Sequence, residues 1–272
     1  MDFKTSISLL LLLLLGSCKA HDENDLGADN DTSGDMSDTE DITATILRMN
    51  NGSTDFLMEG DVVMPRTRTA KKCFSNKYSC LWPKSANGNV VIPFLISQRY
   101  AGSEKREILN ALKDFERKTC IRFVPHNRQT AYLNFEPRNG CSSLLGYVGD
   151  RQTVSLQRYG CIQRGIIQHE VMHSLGFYHE HTRSDRDQYV KINWENIYRH
   201  TYYNFRKMDT NNLNTPYDYD SLMHYGRTAF GIGRTETITP IPDRSVAIGQ
   251  RGGMSRIDIL RINRLYKCWN YM

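Results

Sequence analysis

HEVMHSLGFYHEHTRSDRD, residues 169–187, decides how the rest of this chain is read. On a helix, His169 and His173 lie about one turn apart, so both imidazoles leave the same face with roughly 6 Å between their Cβ atoms. That separation suits two nitrogen ligands on one Zn²⁺. Glu170 follows the first histidine and points to the side where a water on the metal would sit. A carboxylate there can take that water's proton. A helix continued past Leu175 would bring residue 180, not 179, to the ligand face. Gly176 lets the chain turn away sharply, because glycine reaches left-handed φ/ψ values at little cost, and the turn returns His179 as a third ligand. Three protein ligands leave one position open, the arrangement of a catalytic zinc rather than a structural one. A lone HExxH also describes a solvated helix face; a glycine and a third histidine at fixed offsets make a much rarer pattern. His181 falls outside that pattern and receives no role, and RSDRD (183–187) reads as structural ion pairing.

The remainder of the 272 residues divides by composition. Residues 1–20 hold a lysine near the start, the apolar run ISLLLLLLLG and a small-residue end at Ala20, which reads as a signal peptide too short to span a bilayer. A lipid anchor through Cys18 is the alternative to simple cleavage there. Beyond Cys18 lie six cysteines, Cys73, Cys80, Cys120, Cys141, Cys161 and Cys268, an even number that implies disulfides in an exported chain without choosing the pairing. Residues 21–68 carry twelve Asp and Glu against three Arg, a net charge of −9, and their start is expected to be disordered. With +5 on the whole chain and +1 on the signal peptide, residues 69–272 carry +13. The acidic segment therefore reads either as a solubilising leader or as a pro-segment lying against a basic domain, with PRTR (65–68) as the cleavage point. Both glycosylation sequons, at Asn30 and Asn51, fall within it.

The basic part is long enough for one sizeable core. NVVIPFLIS (89–97), IRFVPH (121–126), YLNFEPR (132–138) and TVSLQ (153–157) read as strands. SEKREILNALKDFERKTC (103–120) reads as a helix with a serine cap, CIQRGIIQHEVMHSL (161–175) as the ligand helix, and MSRIDILRINRLYKC (254–268) as a terminal helix. Strands and helices first and turn-rich sequence later indicate an α+β domain of two lobes. No phosphate loop, repeat or nucleic-acid motif is present in the sequence, and no later apolar run suggests a membrane span.

SLMHY, residues 221–225, lies about fifty residues after the histidines. Met223 in that setting resembles the Met-turn that packs beneath the metal in metzincins. Together, HEVMHSLGFYHEHTRSDRD and SLMHY closely resemble the astacin family of secreted zinc endopeptidases, over about residues 56–268. The resemblance implies a zincin-like fold: a mixed sheet and the ligand helix in the first lobe, a loop-rich second lobe with a terminal helix, and a cleft between. It implies one Zn²⁺ held by His169, His173 and His179, with Glu170 as general base. Tyr225 would be a displaceable further ligand that turns to stabilise the oxyanion, a role suited to a phenol beside developing negative charge. FLMEGD (56–61) resembles the family's pro-region element, in which Asp61 would occupy the open metal position until cleavage near Arg68.

The resemblance further implies disulfides Cys120–Cys268 and Cys141–Cys161, which leaves Cys73 with Cys80. Such an extra pair, together with CLWPKSANGNVVIP and ITPIP…IGQRGGMS, is similar to the six-cysteine subgroup that includes fish hatching enzymes. The expected protein is thus a monomeric, secreted proenzyme, stored in granules and inhibited by its own propeptide. Its expected substrate is egg-envelope protein or acidic extracellular matrix. A protease of immune or reproductive tissue and a non-catalytic zinc-binding recognition protein are the alternatives. In the family, Glu180 is associated with the mature amino terminus. Here the longer amino-terminal extension points to an arginine partner such as Arg183 instead.

Overall fold

The computed structural model describes residues 40–64 and 80–271. The signal peptide, the start of the acidic segment, Cys18, the cleavage site at 65–68 and Cys73 lie outside these residues, so the Cys73–Cys80 pairing does too. From Glu40 to Met64 the acidic segment is ordered as a helix and two short strands. Helix α1 (Ile42–Asn50) starts at Asp41, whose carboxylate accepts from the Ala44 N–H at 2.8 Å, a regular N-cap. Strands β1 (Leu57–Met58) and β2 (Val62–Val63) form a small hairpin around Glu59, Gly60 and Asp61.

The domain then alternates strands and helices: β3 (Val90–Ile96), α2 (Gly102–Lys118), β4 (Ile121–Pro125), β5 (Tyr132–Glu136), β6 (Cys141–Leu144), β7 (Arg151–Leu156) and α3 (Arg164–Ser174). One mixed sheet runs β1-β2-β6-β7-β5-β3-β4. Strands β4, β3, β5 and β7 are parallel; β6 is antiparallel to β7 and parallel to β2. The acidic segment therefore adds two strands to the sheet edge, a part of the architecture that its charge conceals. Its contacts with the domain include hydrogen bonds and apolar packing. The Asn50 side chain accepts from Cys141 N–H and donates to the Cys141 and Gly60 carbonyls, while Ile42 and Ile46 enter the main core.

Helix α2 covers the sheet with Ile108, Ala111, Leu112 and Phe115, an i, i+3, i+4, i+7 stripe. It begins one residue before the expected start. Ser103 lies inside it and caps nothing, and the Glu104 carboxylate instead accepts from the Ala101 N–H at 2.6 Å. Helix α3 begins at Arg164, later than expected, because Cys161 is held by its disulfide to Cys141 in the preceding turn. After α3 the chain is loops and 3₁₀ turns with one antiparallel pair, β8 (Val190–Ile192) and β9 (Ile238–Pro240). Helix α4 (Arg256–Leu265) closes the fold, capped by Ser255, and Cys268 just beyond it is bonded to Cys120. Two apolar clusters result. The larger lies under the sheet and α3; the smaller, around Val190, Phe205, Tyr217 and Tyr225, belongs to the loop-rich half. Among the described residues no helix is long and apolar enough to cross a membrane.

Candidate active site

Every residue of α3 from Gly165 to Ser174 is buried, so its histidines face protein on all sides. The helix ends where Leu175 N–H bonds back to the Val171 and Met172 carbonyls and Gly176 N–H to His173 O. Gly176 has φ +103. A Cβ there would meet nothing closer than Leu81 at 3.7 Å, so backbone conformation, not space, requires glycine. The turn brings His179 to the other two ligand candidates, with its ring 5.0 Å from that of His169 and 4.8 Å from that of His173.

Asp61 enters this group from the acidic segment, in the turn between β1 and β2. Its Oδ2 is 3.0 Å from His169 Nε2 and 3.4 Å from His179 Nε2, and its Oδ1 is 3.3 Å from His173 Nε2. The four candidate ligand atoms all lie within 4.8 Å of one another and all four residues are buried. Each imidazole directs its other nitrogen to an acceptor: His169 Nδ1 to Leu222 O at 3.0 Å, His173 Nδ1 to Phe177 O at 2.8 Å, and His179 Nδ1 to Glu59 Oε2 at 2.7 Å. The Nδ1 atoms therefore carry the protons, and the Nε2 lone pairs converge.

That convergence tests whether a metal belongs here. His169 Nε2 and His179 Nε2 are only 3.2 Å apart. His173 Nε2 and Asp61 Oδ1 are buried without a hydrogen-bond partner although they face each other. Acceptors crowded together in this way repel unless a cation lies between them. The separations match the edges of roughly 3.3 Å expected of a tetrahedron with 2.0–2.1 Å zinc–ligand bonds. Three imidazoles and a carboxylate are a donor set for Zn²⁺.

Glu170 adjoins the group with both carboxylate oxygens buried and unpartnered. Burial, then the negative charge of Asp61, pushes its carboxyl well above the usual range. Met223 is buried in the main core, and its carbonyl accepts from Glu180 N–H at 2.9 Å, which ties the strand of chain after His179 to the SLMHY turn. Tyr225 lies 4.7 Å from the His179 ring, centroid to centroid, and its hydroxyl donates to Glu59 O at 2.5 Å.

Three participants are not visible in the sequence. Glu59, read only as part of FLMEGD, meets His179. His181, given no role, stacks on Tyr225 with ring centroids 3.7 Å apart. Arg261 of α4 is the main partner of Glu180, with Nη2 at 2.8 Å from Oε1, while Arg183 is a lesser one at 3.3 Å. The expected Arg183 pairing thus exists but is secondary, since Arg183 is committed to Asp185. No local pattern announces an arginine 81 residues away. RSDRD does form ion pairs, Arg183 with Asp185 and Arg186 with Asp187.

A mixed sheet over an HExxH helix, a glycine turn to a third histidine and a methionine turn near the cluster define a zinc-dependent peptidase of the metzincin class. Residues 76–267 match the astacin family of peptidases. The chain is 58% identical over 271 residues to the low choriolytic enzyme of Oryzias latipes, covering 98% of this chain and 100% of that one. It is 52% identical over 278 residues to high choriolytic enzyme 1 of the same fish, covering 98% and 100%. The solved structure of high choriolytic enzyme 1, described as a hatching enzyme zinc-protease, has a TM-score of 0.69 at 56% identity, over 74% of this chain and 100% of that one. The chain belongs to the astacin family and is a zinc metalloendopeptidase close to the hatching enzymes.

Proposed function

We propose that the chain is a secreted zymogen, with a signal peptide at 1–20, an inhibitory pro-segment at 21–68 and the protease domain at 69–272. Its substrate in this reading is egg-envelope protein. The observation that carries the latency is the Asp61 carboxylate set among the Nε2 atoms of His169, His173 and His179. An anionic oxygen there competes with the water and the substrate carbonyl that the active enzyme needs. A latent form also suits storage in granules before release. The hatching role is supported by the names of the two similar choriolytic enzymes, and the +13 on residues 69–272 favours an anionic target by electrostatic steering.

His169, His173 and His179 would hold the zinc, which when bound lowers the pKa of water and polarises a carbonyl. Glu170 would take the proton of the attacking water and pass it to the leaving amine; its position in a dry pocket, with a raised affinity for protons, suits both halves of that transfer. Tyr225 would donate its hydroxyl to the developing oxyanion once Glu59 O no longer accepts from it. Gly176 and Met223 shape the ligand turn and the floor beside it.

The reading is tested by expressing the full chain as wild type and as Asp61→Ala, then assaying casein and isolated egg envelope before and after cleavage, with and without a zinc chelator. Asp61→Ala should act without cleavage, and the cleaved wild type should soften the envelope in a chelator-sensitive manner. A silent, uncleaved Asp61→Ala protein that becomes active on cleavage would refute the latency. Casein hydrolysis with an untouched envelope would refute the hatching role.

A further inference from the structure

The two histidines on α3 find acceptors for their Nδ1–H groups in the protease domain, at Leu222 O and Phe177 O. His179 does not. Its Nδ1–H and its backbone N–H both donate to Glu59 Oε2, at 2.7 and 3.1 Å, and Glu59 belongs to the pro-segment.

Glu59 occupies an unfavourable position for its residue type. Its φ is +53, in the left-handed region, where glycine would be easier to accommodate. Its side chain is 2% exposed, and its other oxygen, Oε1, is buried without a partner. Neither backbone preference nor desolvation favours glutamate there. What the residue gains is a set of contacts to the site. The carboxylate takes His179, the N–H donates to Asn204 Oδ1 at 2.8 Å, and the carbonyl accepts the Tyr225 hydroxyl.

We propose that Glu59 is a second inhibitory residue of the pro-segment, fixing His179 through its carboxylate and Tyr225 through its carbonyl while Asp61 fills the open position. The proposal rests on the zymogen reading above and adds a distinct contact to it. A carboxylate behind a ligating imidazole fixes the ring and raises its basicity, which tightens the metal site. The pro-segment therefore does more than occlude: it completes the surroundings of one ligand and withdraws the Tyr225 phenol from the oxyanion. Its departure releases His179, Tyr225 and the open position together.

The test follows zinc rather than turnover. Intact zinc-loaded proforms of wild type, Glu59→Gln, Glu59→Gly and Asp61→Ala are mixed with a colorimetric chelator, with mass spectrometry verifying that the chains are uncut. Glu59→Gly removes the carboxylate while easing the backbone, and should speed zinc loss by about 10-fold or more, the usual effect of losing a partner behind a ligand. Glu59→Gln keeps the shape with a neutral acceptor and should give a smaller increase. Cleavage near Arg68 yields the same polypeptide from every variant, so equal kcat/KM after activation shows that the proforms folded. Zinc loss at the wild-type rate in both Glu59 variants overturns the proposal; if Glu59→Gly fails to fold, a wild-type rate in Glu59→Gln alone overturns it. A silent Asp61→Ala proform would count against the zymogen reading and leave the Glu59 result to be read from zinc.

Discussion

Replacing Arg261 with methionine tests how the loop after the third histidine is held. Glu180 is 3% exposed and Arg261 7%. Arg261 donates to both Glu180 oxygens, to Thr215 Oγ1 at 2.9 Å and to Pro216 O at 2.9 Å. Without it, Glu180 keeps the Asp218 N–H at 2.8 Å and a 3.3 Å contact to Arg183, whose other donors are engaged by Asp185 and the Pro216 and Thr215 carbonyls. Removing one partner of a buried ion pair costs about 3–5 kcal/mol. The residual contacts place this case near the lower end, so about 3 kcal/mol is expected. At about 2–4 °C per kcal/mol for a domain of this size, the melting temperature should fall by about 6–12 °C. Differential scanning calorimetry of the intact, zinc-loaded chain measures it. Arg261→Met combined with Glu180→Gln removes the stranded charge and should recover part of the loss, giving a coupling energy in a double-mutant cycle. A single mutant melting within about 2 °C of wild type would refute the reasoning, since it corresponds to at most about 1 kcal/mol. A double mutant no more stable than the single one would show that the cost is not the unpaired carboxylate.

Other perturbations separate chemistry from scaffold. Glu170→Gln should lower kcat of the activated enzyme by about 10²–10⁴-fold, the usual contribution of a general base, with zinc content by atomic absorption unchanged. Gly176→Ala places a side chain at φ +103 with room for its Cβ, so its cost of about 1–3 kcal/mol in a thermal melt is backbone strain alone; weaker zinc retention should accompany it. Cys141→Ser with Cys161→Ser opens a loop of sequence separation 20. Chain entropy sets that loss at about 3 kcal/mol, measured by urea denaturation.

The parts of the molecule legible in the sequence were those governed by local rules. HEVMH reads as one helical face because i and i+4 residues share it, and the turn at Gly176 follows from glycine's access to positive φ. Strands β3, β4, β5 and β7 are visible as short apolar runs between turns, whereas β6, CSSL at 141–144, carries no such run and does not read as a strand. Contacts spanning long sequence distances were not legible. Arg261 reaches Glu180 across 81 residues and Glu59 reaches His179 across 120, and nothing in either neighbourhood indicates the partner. The order of residues 40–64 was hidden for another reason. Its apolar residues lie in runs too short to build a core alone, and they become a helix stripe and a sheet edge only when the domain supplies the opposing surface.

Under the proposed zymogen reading, helix α1 carries a consequence for how durable an activated enzyme would be. Ile42 and Ile46 are 1% and 2% exposed and belong to the same apolar cluster as the sheet. Burying two such side chains stabilises the intact chain by about 3–6 kcal/mol, a large share of the 5–15 kcal/mol typical of a folded domain. In the zymogen reading proposed above, cutting the segment away would remove that contribution. A mature chain of that kind would occupy a fold reached with help it no longer had, and its working lifetime would then depend on the height of the unfolding barrier more than on the depth of the folded minimum.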